Sequence, residues 1–327
     1  MRRWMIPVVL VVLIACWLGG RALYFNQVEH RSYRSKIFSD LIVLSGSKKT
    51  FASEELMVKS LEGRIDSKEY ELPDKKYKSE VTSERLDDYA VYTFNDKQDS
   101  EQTVVIYVHG GAWVQQPLSF HWKFIDKLAQ ATDARVVVPI YPKAPEHTFE
   151  ETYELLQKLY QSVLDSVDAP SQITLMGDSA GGNIILGFGQ QLAEAGIPQP
   201  KDIVALSPTM DLSFQNPLID DYVERDPMLA VPGALYAAKK WAGDEELTSP
   251  RISPLFGNFD KVAKVTVFVG TYEGGYPDSV LWDEKLNKQG IDHNFFVYSK
   301  MAHVFPLYPI PEAKEAFDQI LSVMSKE

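Results

Sequence analysis

The stretch Ile173-Thr174-Leu175-Met176-Gly177-Asp178-Ser179-Ala180-Gly181-Gly182 decides the fold. Ile173–Met176 reads as a short buried strand, and Ala180–Ala195 reads as a helix that follows with almost no intervening loop. Between them stands the pattern Gly-x-Ser-x-Gly. So sharp a reversal crowds neighbouring Cβ atoms, which makes Gly177 and Gly181 steric requirements and lifts the Ser179 hydroxyl above the strand ends. The turn also points the Ala180 N–H and the helix N-terminus at the oxygen of any carbonyl that Ser179 attacks. Ser179 is therefore the candidate nucleophile.

Outward from that turn the chain alternates strands and helices, the rhythm of an α/β fold with a mostly parallel central sheet flanked by helices. The expected strands are Thr103–Val108, Arg135–Ile140, Ile203–Leu206, Val265–Val269 and Asn294–Tyr298. The expected helices are Phe120–Ala131, Tyr153–Val167 and, closing the chain, Pro311–Met324. Leu86–Phe94 alternates apolar and polar residues and reads as one antiparallel strand. Residues 212–260 break the rhythm. They are rich in Pro, Asp and aromatics around a helix at Pro232–Ala242, and read as an insertion forming a lid or pocket wall. Residues 26–80 hold short amphipathic patterns near Ile37–Leu44 and Glu54–Leu61, too short for a core of their own, and read as a helical cap. The catalytic domain is then residues 81–327.

Two further motifs supply candidate partners for Ser179. His109-Gly110-Gly111-Ala112-Trp113 follows the strand ending at Val108, and small residues there let backbone N–H groups approach a developing oxyanion. Gly110, Gly111, Ala112 and Ala180 are the candidate oxyanion-hole residues, with the Gly111 and Ala112 amides the best donors and Gly110 supplying the turn. His109 reads as a structural hydrogen-bonding residue, and Trp113 as a pocket wall or a packing residue. The general base belongs after the last strand, where His303 stands, whereas His30, His121 and His147 precede the Gly-x-Ser-x-Gly turn. The acid belongs after Val265–Val269, in the loop Gly270–Asp278. Glu273 is the candidate there, because it is nearer the strand end, and Asp278 is the alternative.

These motifs together resemble the hormone-sensitive-lipase-like α/β-hydrolases, the bacterial family IV esterases. The resemblance rests on His109-Gly110-Gly111, on Gly177–Gly182, and on Tyr141-Pro142-Lys143-Ala144-Pro145-Glu146-His147, which is similar to that family's Y-R-L-A-P-E-H segment. It runs from about residue 75 to the C-terminus. It implies an α/β-hydrolase fold with a helical cap and hydrolysis of short- to medium-chain acyl esters. Two departures stand out: Ala112 occupies the fourth place of H-G-G-G, and the usual D-P-L-R-D acid segment becomes Glu273-Gly274-Gly275-Tyr276-Pro277. The string H-G-G-A-W also resembles kynurenine formamidases, so an amide hydrolase is an alternative, as is a cell-surface deacetylase. A non-catalytic ligand-binding hydrolase homologue is the remaining rival.

Composition narrows the partners. The 327 residues are 45% hydrophobic and carry a formal charge of −12, which argues against nucleic acid, since phosphate binding needs a basic surface. A single cysteine, Cys16, excludes an intramolecular disulfide. No Cys/His cluster has metal-ligand spacing, so no metal is implied, and acyl transfer through a serine and a histidine needs no organic cofactor. Residues 4–20 carry no charge, and about 1.5 Å per residue gives them a helical length of about 25 Å against a hydrocarbon core of about 30 Å. Residues 1–25 thus read as a signal anchor, with snorkelling Arg21 closing the gap and the catalytic domain outside the cell. The alternatives are a lipoprotein signal at Leu13-Ile14-Ala15-Cys16 and a cleaved secretory peptide.

Overall fold

The computed structural model describes residues 17–325. The first sixteen residues of the expected signal anchor, Cys16 included, lie outside the described part. Residues 17–27 are helical, and among the described residues no helix is long and apolar enough to cross a membrane.

Among the described residues, eight strands form one sheet in the order β1-β2-β4-β3-β5-β6-β7-β8. β1 (Val81–Leu86) and β2 (Tyr89–Phe94) pair antiparallel, and β2 pairs antiparallel with β4 (Arg135–Pro139). From β4 onward every pairing is parallel, through β3 (Val104–Val108), β5 (Ile173–Asp178), β6 (Asp202–Leu206), β7 (Lys264–Tyr272) and β8 (His293–Ala302). The single strand expected at Leu86–Phe94 is in fact the second half of a hairpin. Asp87 and Asp88 both adopt positive φ, 48° and 67°, and turn the chain between β1 and β2. Two positive-φ residues are what a tight two-residue hairpin requires, and aspartate tolerates that conformation without glycine's help.

Strands β3 to β7 are buried on both faces, whereas β8 at the sheet edge is largely half-exposed, and alternate residues feed two separate apolar layers. In β3, Val104, Ile106 and Val108 enter one layer while Val105 and Tyr107 enter the other. Helices α5 (Phe149–Leu164) and α6 (Ala180–Glu194) cover the first face, and α4 (Ser119–Thr132) and α10 (Pro311–Ser325) the second. Helix α9 (Tyr276–Gln289), which none of the elements expected from the sequence covers, packs on the first face through Trp282 and Leu286.

The segment read as a cap holds α1 (Tyr33–Ser45), α2 (Ser47–Phe51) and α3 (Glu54–Ser60). Met57 of α3 is fully buried in the first apolar layer, beside Ala237 and Trp241 of α8 (Val231–Ala242). Gly233 of α8 is forced by this packing, because a Cβ there would lie 2.6 Å from the Phe51 Cα. Residues 212–260 also contain α7 (Ile219–Arg225), which the sequence did not announce.

Candidate active site

The turn from β5 into α6 puts Ser179 at φ 53° and ψ −121°, outside the regions that residues with a Cβ favour. Its N–H donates to the Leu206 carbonyl at 2.8 Å, which pins the turn to the end of β6. A Cβ on Gly181 would stand 2.0 Å from the Val108 carbonyl oxygen, and one on Gly177 would stand 2.7 Å from the same atom. Both glycines are therefore required by the close approach of β3, as the motif implied.

β8 and the residues after it bring His303 to this turn. His303 Nε2 lies 2.8 Å from Ser179 Oγ, and His303 Nδ1 lies 2.8 Å from Glu273 Oε2. Glu273 is buried, and its other oxygen accepts from the Gly270 N–H and from Ser207 Oγ at 3.0 Å. Ser207 Oγ in turn accepts the Val304 N–H at 3.0 Å, and Tyr308 Oη donates to the His303 carbonyl at 2.7 Å. The histidine backbone and its carboxylate partner are thus held from several sides. Burial alone would lower the His303 pKa. The hydrogen bond and charge of Glu273, with the charges of Asp226 and Asp178, outweigh it and raise the pKa above the usual 6.5.

Asp278 does not meet the histidine. It sits in the first turn of α9 and accepts from Asn216 Nδ2 at 2.7 Å, and burial pushes its pKa up to about 7. The expected Gly270–Asp278 loop is also shorter than read, because β7 runs to Tyr272 and α9 begins at Tyr276.

The four candidate oxyanion residues divide. Gly111 and Ala112 line the cavity at Ser179, and among the described residues neither N–H has a protein acceptor. Ala180 opens α6, where a first-turn N–H has no carbonyl of its own helix to reach. Gly110 is different: its N–H donates to Asp178 Oδ1 at 3.1 Å and is not free for a substrate. A Cβ on Gly110 would lie 2.4 Å from Asp178 Oδ2, so this glycine serves close packing.

Asp178 and His121 are the pair that sequence reasoning missed. Buried Asp178 accepts from Tyr107 Oη at 2.7 Å and from Gly110, and its Oδ2 lies 3.1 Å from His121 Nε2. The Leu118 N–H donates to His121 Nδ1 at 2.8 Å, so the histidine proton sits on Nε2 and faces the carboxylate. The network ties the His109–Trp113 loop to the turn holding Ser179. Chain order set His121 aside as a base, and nothing in that order marks it as a brace. His109 behaves as read, with Nδ1 2.6 Å from the Gly110 carbonyl and its ring stacked on Tyr141. Burial holds it well below the ordinary histidine pKa, with the charge of Lys143 adding to the effect. Trp113 packs inward, donating to Asn183 Oδ1 at 3.3 Å and stacking on Trp241.

The cavity at Ser179 measures about 350 Å³ and is walled by Phe51, Gln115, Phe120, Met228, Leu229 and Val304 among others. A hydroxyl poised on a histidine, with free amides beside it and an apolar cleft above, suits attack on an acyl carbonyl. Residues 105–307 match the model of a family described as having the alpha/beta hydrolase fold.

The chain belongs to the α/β-hydrolase fold family.

Within it, the chain is 29% identical to an esterase of Acinetobacter venetianus over 226 residues, 68% of this chain and 75% of that one. It is 26% identical to an acetyl-hydrolase of Streptomyces hygroscopicus, over 65% of this chain and 72% of the relative. The crystal structure of a Staphylococcus aureus protein assigned as an esterase superposes with a TM-score of 0.79 at 29% identity, over 86% of this chain and 96% of the other. A homologue of hormone-sensitive lipase from a metagenome library shares the same α/β-hydrolase fold, with a TM-score of 0.73 at 23% identity over 89% and 97% of the two chains.

Proposed function

We propose that this α/β-hydrolase is a serine carboxylesterase that acts on short- to medium-chain acyl esters through an acyl-enzyme. The observation that carries the reading is the aligned pair of 2.8 Å contacts, Ser179 Oγ to His303 Nε2 and His303 Nδ1 to Glu273 Oε2. His303 takes the Ser179 proton as Oγ bonds to the carbonyl carbon. The amides of Gly111, Ala112 and Ala180 receive the oxyanion, and His303 then protonates the departing alcohol. Water deprotonated by the same histidine attacks the acyl-enzyme and releases the acid. Glu273 holds the imidazole in its tautomer and balances the imidazolium charge.

Relatives named esterase support an ester over an amide, and a cavity of about 350 Å³ suits an acyl chain of modest length. The uncharged run at residues 4–20 supports attachment to a membrane, with the catalytic domain outside the cell.

The test compares full-length protein with its Ser179→Ala variant on p-nitrophenyl acetate, butyrate, octanoate and palmitate. Turnover of the shorter esters falls by about 10⁴-fold or more in the variant if Ser179 is the nucleophile. Equal rates in both proteins, or faster hydrolysis of the matching anilides, would overturn the ester mechanism.

A further inference from the structure

Helix α1 is apolar on two sides. One side faces the body of the protein: Ile42 is buried, the Phe38 ring lies 4.6 Å from that of Tyr308, and Ser32 Oγ donates to Glu312 of α10 at 2.9 Å. The other side carries Ile37, Leu41 and Leu44, which are 44%, 55% and 80% exposed. Their spacing of four and three residues stacks them as one stripe pointing away from the packed face. A helix already fixed to the core has no internal use for that stripe.

Three observations say what covers it. The helical residues 17–27 precede α1, expose Trp17 and Tyr24, and directly continue the uncharged run at residues 4–20. Charge is distributed unevenly. Residues 17–49 hold six Lys or Arg and two carboxylates, in a chain whose formal charge is −12, and Arg34 and Lys49 are exposed near the stripe. Basic residues beside an exposed apolar face suit the surface of an anionic bilayer, where the apolar side chains enter the acyl boundary and the cations meet headgroups. The third observation is position: Ser47, Thr50 and Phe51, which follow α1 directly, line the cavity at Ser179.

We infer that α1 docks flat on an anionic lipid bilayer through Ile37, Leu41 and Leu44. The mouth of the Ser179 cavity then meets the lipid surface, and the substrates are acyl esters dissolved in the membrane. The inference about substrate rests on the esterase reading, whereas the docking itself does not.

The experiment uses full-length protein reconstituted into phosphatidylglycerol–phosphatidylcholine vesicles. A bimane probe is placed at Leu41→Cys in a Cys16→Ala background. Docking predicts a blue-shifted probe, quenched by nitroxides on the lipid acyl chains and protected from aqueous iodide. In parallel, the combined Ile37→Ser, Leu41→Ser and Leu44→Ser variant is assayed on dioctanoylglycerol dissolved in the vesicles and on water-soluble p-nitrophenyl acetate. The variant loses about tenfold on the membrane-borne ester and stays within about twofold of wild type on the soluble one. An iodide-accessible probe, or a variant equally active on both substrates, overturns the inference. A probe shielded from iodide yet untouched by lipid nitroxides assigns the stripe to a second copy of the chain and also overturns it. A wild type inactive on both esters would sink the esterase reading instead, while the probe still decides the docking.

Discussion

Ser179 and His303 were legible in the sequence because the fold prescribes their order and each stands beside a strand end. The acid candidate was narrowed only to two residues, Glu273 first and Asp278 as the alternative, since they are five positions apart and either could reach an imidazole. The helix start at Tyr276 separates them, turning Asp278 toward Asn216. Protonated His303 cannot accept the Ser179 proton, so kcat/KM should fall as pH drops through a midpoint above 6.5, the direction in which its acidic neighbours move it. Glu273→Gln should lower kcat by about 10²–10⁴-fold and move that midpoint down. Asp278→Asn should leave kcat within about twofold and change stability instead. The Asp278 pKa rises from 3.8 unfolded to about 7 folded, so the carboxylate weakens the fold progressively between those values and by a constant amount above them. Urea unfolding at pH 5 and pH 8 should show the variant gaining on wild type as pH rises, by roughly 2–3 kcal/mol, because about two pKa units lie between pH 5 and the folded value and each contributes about 1.4 kcal/mol. A catalytic collapse in Asp278→Asn with an active Glu273→Gln would exchange the two roles.

At the scale of elements, the buried parallel strands and the helices with strong 3.6-residue periodicity were found from sequence, and the misses have physical causes. The β1–β2 turn is Asp87-Asp88, with no glycine to mark it. Helix α9 opens on Gly275-Tyr276-Pro277 and is held by few large apolar residues, chiefly Trp282 and Leu286, so its polar surface hides the period. The turn at Ser179 was the clearest element because its glycines answer to backbone that cannot move. Gly181→Ala would drive a methyl into the Val108 carbonyl, and no rotamer relieves a Cβ clash. We expect at least about 3 kcal/mol of lost stability together with lost activity, measured by denaturant unfolding and ester turnover. Gly275→Ala is the internal comparison, since its nearest neighbour, the Pro208 carbonyl, would be 3.4 Å away. A Gly181→Ala protein as stable as Gly275→Ala would show that β3 can withdraw from the turn.

Across the whole molecule, residues 26–80 read as a cap from short amphipathic patterns and residues 212–260 as an insertion from composition, but one contact between them was invisible because it is made to backbone carbonyls. Lys48 Nζ of α2 donates to the carbonyls of Val223, Glu224 and Asp226 at the end of α7, where helix geometry leaves such groups without partners. The Asp226 carboxylate then accepts from the N–H groups of Met228 and Leu229 at 2.7 and 3.0 Å, and from that of Gly274 at 3.0 Å. Met228 and Leu229 wall the cavity, and Gly274 follows Glu273. One lysine of the cap therefore fixes the cavity wall, while the Ser179–His303–Glu273 contacts are made without it. Lys48→Met keeps the aliphatic stem and removes the donors. It should raise KM for butyrate and octanoate esters several-fold, leave kcat within about twofold, and destabilise the fold by about 1.5–3 kcal/mol, the usual range for a charged hydrogen bond. If kcat fell as far as in Glu273→Gln with KM unchanged, the lysine would be acting through Gly274 on the acid, and the cap would be part of the reacting assembly.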